Sequence, residues 1–326
     1  MASPPQPDRR LPARRRTFAR LRALAPWVVG LGLLAYVLRS VHRAELWAAF
    51  HRAPAWAALT AIGGALGAYV CDTFATFCVL NWASVRLRFR EVAVMRGATY
   101  FFAIVNYTLG QAALIYVLSR HGVRALRASG IVLFIMGINL IVLIGFAGVS
   151  IAAGVPDENV PPLLRWSVYG LVAALPVYMA ILAWKPGWLT RRALLAPLFD
   201  LGLWAHAKAI VVRLPHVATM MLAHWVTMRS FGLAVPPWTA ALYLPILFAV
   251  AVMPISAQGI GTTQWVALRL FAPYAPGDHA AQQATVLAYS LYVLALWLPT
   301  QIVIGALCAR TELGRAIRAG ASVKTD

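Results

Sequence analysis

Asp72 sits inside an apolar run, where an ionised carboxylate is costly unless it is protonated or paired. Two roles suit such a group: a proton site, or the partner of a nearby arginine beside a water-filled vestibule. Arg213, His216 and His224 form a second constellation. At about 100° per residue the two histidines fall within about 80° of each other with Arg213 between them, so all three share one helix face. That face could line a cavity and bind a lipid phosphate, the guanidinium forking onto two oxygens. The plainer alternative makes Arg213 the mark of a helix end and has the histidines bond across helices. His216 fits that alternative better, because no metal-binding or catalytic spacing accompanies it.

Two polar, glycine-bearing segments interrupt apolar runs: Asn106-Tyr107-Thr108-Leu109-Gly110-Gln111, and the stretch from Pro254 to Gln264 that holds Gln258-Gly259-Ile260-Gly261. Gly259 and Gly261 let the backbone turn and expose N–H groups, which can hold phosphate oxygens. Gln111 and Gln264 could hydrogen-bond a headgroup. The alternative is that glycine and proline only shape a helical hairpin and the glutamines bond each other. Arg269 is a further phosphate candidate, or else an interfacial anchor.

Several chemistries are excluded. The chain has no Gly-x-Ser-x-Gly, no His-Glu-x-x-His and no phosphate-loop motif, and only ten acidic residues. Cys71, Cys78 and Cys308 lack metal-ligand spacing and lie in apolar runs as small hydrophobes. No metal, cofactor or enzymatic activity is therefore expected.

The elements that must position these groups belong to a membrane protein. Of 326 residues 61% are hydrophobic and only 12% charged, with mean hydropathy +0.72. So few charges cannot cover a water-soluble surface of this size, so the bilayer is the solvent and the apolar runs are helices. The net charge of +19 lies mostly in arginines between those runs, which suits topogenic charge against anionic headgroups and not nucleic acid. Trp27, Trp47, Trp56, Trp82, Trp166, Trp184, Trp188 and Trp238 lie near run ends as an aromatic belt.

Eight apolar runs span 23–38, 53–82, 93–118, 130–154, 163–184, 210–233, 240–274 and 284–309. Basic residues put 1–22, 185–209 and the tail from Arg310 inside; the acidic loop 155–162 goes outside. A simple crossing by every run contradicts this, because run four would then bring the acidic loop inside. The conflict disappears if runs three and seven, the two broken by glycine or proline, enter and leave on one face each. Arg39, Arg43 and Arg52 in the first outer loop are the one departure from the charge bias. The expectation is an all-α polytopic membrane protein of about six transmembrane helices plus two re-entrant broken hairpins in an inverted repeat. Residues 1–22 are read as a disordered basic tail, 23–309 as a single transmembrane domain and 310–326 as a short tail, with both termini cytoplasmic.

This layout resembles the flippase-like family that includes the transmembrane region of lysylphosphatidylglycerol synthases, over about residues 20–310. In that family a first broken segment carries Asn and then Gly-Glu, and a second carries Pro, Gly-Gly-(Leu/Ile)-Gly and a later Glu. Here the counterparts are Asn106, Gly110 and Gln111, then Gln258, Gly259, Gly261 and Gln264. Both acidic positions are amides. Leu114 stands near the family's basic position, and Ile135 and Met136 replace its Glu-Arg pair. The resemblance implies a bacterial inner-membrane transporter handling an anionic phospholipid or lipid-linked headgroup. The stripped charges leave open a non-transporting scaffold, or an accessory subunit of a membrane enzyme that assembles lipid or polysaccharide. Some family members carry a soluble aminoacyl-transferring domain after the last helix, and that activity is not expected here. Substrate, energy source and oligomeric state are not legible.

Overall fold

The computed structural model describes residues 13–39, 41, 43–105, 107–153, 162–253, 256 and 259–322. It is 87% helical and, among the described residues, has no strand. The helices are α1 (Ala13–Arg39), α2 (Arg43–His51), α3 (Ala55–Trp82), α4 (Phe89–Val105), α5 (Tyr107–Arg120) and α6 (Ala125–Ala152). They continue as α7 (Pro162–Trp184), α8 (Gly187–Thr190), α9 (Ala196–Ser230), α10 (Pro237–Val252), α11 (Thr262–Phe271) and α12 (His279–Ser322).

The chain is an all-α polytopic membrane protein. Among the described residues five helices, in α3, α6, α7, α9 and α12, are long and apolar enough to cross a bilayer. The sixth expected span contributes the shorter apolar stretch Pro26–Arg39. Three boundaries move. The first helix reaches back to Ala13, into the segment read as a disordered tail. The last runs on to Ser322, beyond the expected end at 309. The expected inside segment 185–209 is mostly α8 and the first turns of α9, which bends at Gly202 (φ 71°) and places Lys208 over the Trp82 ring, 4.8 Å from its centroid. The acidic loop 155–162 falls almost wholly outside the described residues.

Both glycine- or proline-broken runs are helix–break–helix hairpins, α4/α5 and α10/α11, each packed on itself. At 17, 14, 16 and 10 residues their arms are shorter than the 20 or so that a crossing needs. The two halves then match element by element. The α3–α4 contact answers to α9–α10, α5–α6 to α11–α12, α4–α12 to α10–α6, and α3–α12 to α9–α6. The α3–α9 contact is its own counterpart and lies on the pseudo-twofold axis.

The hydrophobic cores show that the repeat is inverted. One core joins the end of α3 (Val79, Leu80), the α4/α5 hairpin and the first half of α6, from Ala128 to Ile138. The other joins the second half of α6 (Val142, Leu143, Ala147), the end of α9, the α10/α11 hairpin and the start of α12. The hairpins therefore pack at opposite ends of the 28-residue α6. Single cysteines at Ser119, closing the first hairpin, and Asp278, following the second, test the sidedness in a chain freed of Cys71, Cys78 and Cys308. Ser119→Cys is expected to react with an impermeant maleimide only from the cytoplasm, and Asp278→Cys only from outside. Labelling of both from one face would contradict two opposed re-entrant hairpins.

Small residues set the central crossing. The buried face of α3 reads Ala57, Ala61, Gly64, Ala65, Ala68, Asp72, Thr73, Ala75 and Thr76 before it reaches Val79 and Leu80. Lipid offers no hydrophobic drive to helix pairing, so close backbone approach through small side chains does the work. A Cβ on Gly64 would strike that of Ala223 on α9, and one on Gly67 would lie 3.1 Å from Thr219 Cγ2.

Candidate functional site

Where α3 meets α9, Asp72 points into the bundle with 1% of its surface exposed. Arg96 of α4 and Arg213 of α9, each 7% exposed, form ion pairs with its two oxygens. Arg96 donates Nε to Asp72 Oδ2 at 2.8 Å and a second N–H from Nη2. Arg213 donates Nη1 to Asp72 Oδ1 and Nε to Asn139 Oδ1 of α6 at 3.1 Å. The Tyr100 hydroxyl donates to Asp72 Oδ2 at 3.1 Å.

A carboxylate offers about four acceptor positions, and two guanidinium groups carry about ten N–H donors. Three guanidinium N–H groups and one phenol fill Asp72. The donors outnumber the acceptor capacity, and the triad carries a surplus positive charge. Such a charge at membrane depth is expensive without water or an anion beside it.

The triad faces a cavity of about 270 Å³. Eight helices, α3 to α6 and α9 to α12, line it, so both halves and both hairpins contribute. Along α9 the lining residues are Arg213, His216, Val217, Met220 and His224, one continuous stripe at helical spacing. That stripe covers eleven residue steps, about 16 Å of helix. The end away from the triad is aromatic. His224 Nδ1 lies 2.7 Å from the Tyr289 hydroxyl, and its ring packs on Phe248 and Trp297 at centroid distances of 5.0 and 5.5 Å. Leu143, Leu247, Val293 and Leu294 supply apolar wall.

The residues singled out from sequence divide into three sets. Asp72, Gly110, Gln111, Arg213, His216, His224 and Gln264 line this one cavity. His216 also lies 2.9 Å from the Ala68 carbonyl through Nδ1, the cross-helix bond of its plainer reading. Gly259, Gly261 and Arg269 do not line it. The Gly261 N–H, expected to face phosphate, instead donates to Gln264 Oε1 at 2.6 Å. Gln264 thereby caps α11 and keeps only its NH2 group for a ligand. Gly261 has φ 81°, and a Cβ there would strike the Gly30 carbonyl, so its glycine serves the packing of α1 on α11. Arg269 is exposed and stacks on Trp265 at 5.5 Å, as an interfacial anchor does. Asn106 and Gln258 lie outside the described residues.

Sequence reasoning missed Arg96, Tyr100 and Asn139. Arg96 lies inside the run 93–118, just beyond Arg86, Arg88 and Arg90, and so reads in one dimension as one more charge flanking the membrane. Asn139 is a single amide within the apolar run 130–154, with no polar neighbour in sequence to draw attention to it. Gln111, Gln264, Leu114, Ile135 and Met136 remain uncharged where the resembling family has charges; the buried charges of this chain, Asp72, Arg96 and Arg213, lie on α3, α4 and α9 instead.

No protein-family model matches the chain, and no curated protein matches it.

Proposed function

We propose that the chain is a flippase-like membrane transporter that moves an anionic phospholipid or lipid-linked headgroup across the cytoplasmic membrane, with both termini on the cytoplasmic side. The observation that carries this reading is the pairing of two buried guanidinium groups with one carboxylate in a cavity shared by two inverted halves. Inverted halves around a central site are the architecture of alternating access, in which one half rocks against the other. A surplus of guanidinium donors suits phosphate oxygens, which arginine binds bidentately. The apolar wall beyond them suits an acyl chain. Gln111 and the Gln264 NH2 group are placed to bond the polar part of a headgroup.

The test is translocation in vesicles. Purified protein is reconstituted into liposomes with a fluorescent phosphatidylglycerol, and loss of outer-leaflet signal to a membrane-impermeant reductant is followed. Movement well above that of protein-free vesicles is expected, and Arg213→Gln should reduce it by about two orders of magnitude, in line with loss of a charge-assisted clamp. Movement no faster than in protein-free vesicles would sink the transporter reading. A stable, correctly inserted protein that copurifies with a lipid- or polysaccharide-assembling enzyme would then take its place.

A further inference from the structure

The substrate's charge is legible in the cavity. Among the described residues its lining holds Arg96 and Arg213 as cations and Asp72 as anion; Gln111, Asn139, Gln264 and Gln301 are neutral amides, and the tyrosines, serine and threonines are neutral hydroxyls. His216 and His224 are counted as neutral imidazoles at mildly alkaline pH. The side chains that line the cavity are therefore one positive charge out of balance. Water can screen that charge while the cavity is open to one side. An occluded state, closed off from water on both sides, tolerates no such imbalance, because an uncompensated charge at membrane depth is heavily disfavoured.

From this count we infer that the cavity selects a lipid phosphodiester whose headgroup carries a single net negative charge, and that Asp72 sets that number. The inference rests on the transport reading above and narrows it. A monoanionic headgroup neutralises the triad. A zwitterionic headgroup leaves it positive, a phosphomonoester dianion makes it negative, and an aminoacylated cationic headgroup doubles the excess. Asp72 already takes three guanidinium N–H groups, so a phosphodiester docks on the remaining donors of Arg96 and Arg213 without displacing it. Asp72 therefore works as a fixed counter-charge: without it the same two arginines would call for a dianion.

The experiment compares four fluorescent lipids with identical chains at mildly alkaline pH: phosphatidylglycerol, phosphatidylcholine, lysylphosphatidylglycerol and phosphatidic acid. Translocation is measured in vesicles, and retention on the detergent-solubilised protein by native mass spectrometry. Phosphatidylglycerol should lead each of the others by at least about tenfold in both readouts. Asp72→Glu should keep that order, and Asp72→Asn should move the preference to phosphatidic acid. The wild-type series decides the matter alone if Asp72→Asn does not fold. Equal movement of all four lipids would overturn the charge selection and leave transport standing. Selective retention without movement would overturn transport and leave the charge selection standing. Retention of none of the four would overturn both.

Discussion

Asp72→Ala will lose about 3–5 kcal/mol of stability, the cost of stranding buried charges whose partner has been removed. Among the described residues Asp72 alone supplies a carboxylate to the two guanidinium groups, each 7% exposed, so its loss leaves both without that counter-charge. The midpoint of thermal unfolding in detergent, read by loss of helical circular dichroism, should fall sharply. A companion variant separates stability from function. With Asp72→Leu, Arg96→Met and Arg213→Met made together, no charge is stranded, and replacement by apolar side chains of similar volume is neutral or stabilising by about 1–4 kcal/mol. That triple variant should insert, melt at or above the wild-type temperature, and move no lipid. An Asp72→Ala protein as stable as wild type would mean that water already solvates the triad fully. A triple variant that still moves lipid would remove the triad from the transport pathway.

The same triad explains what the sequence could and could not disclose. Run lengths and the arginine bias were enough to expect six crossings and two hairpins, because both follow from the cost of exposing backbone or charge to lipid. Helix ends were less legible. Nothing in hydropathy stops a helix at the membrane surface, so α1 and α12 continue into charged sequence from Ala13 and to Ser322. Asp72, Arg213 and His224 were found because a polar group in an apolar run is conspicuous. Arg96 was not, since it stands eight residues beyond Arg88 and a one-dimensional charge count cannot say that α4 has already entered the bundle there. Nor could spacing show that the Gln264 side chain turns back onto the Gly261 N–H: both readings of that glutamine use the same residues in the same order.

Gly63 and Gly64 will respond oppositely to the same substitution. They are neighbours on α3, both helical, and alanine removes the same backbone freedom from each, worth up to about 1 kcal/mol in favour of the helix. A Cβ on Gly63 meets nothing within 4 Å, so Gly63→Ala should be neutral or slightly stabilising. A Cβ on Gly64 would overlap that of Ala223 and come within 3.5 Å of Trp297 Cζ3. Gly64→Ala should therefore push α3 from α9 at the pseudo-twofold crossing and cost about 1–3 kcal/mol, the range for overpacking a close-packed interior. The effect should reach function too, because that crossing holds Asp72 against Arg213 and sets the width of the cavity between them. Removing the opposing methyl is the decisive control. Ala223→Gly combined with Gly64→Ala exchanges the two side chains across one contact, and should recover most of the lost stability and lipid movement, whereas Ala223→Gly alone should leave packing loose. Failure of the double variant to recover would mean that α3 and α9 do not cross at these residues in the membrane, and with that crossing the shared cavity of the two halves would also fall.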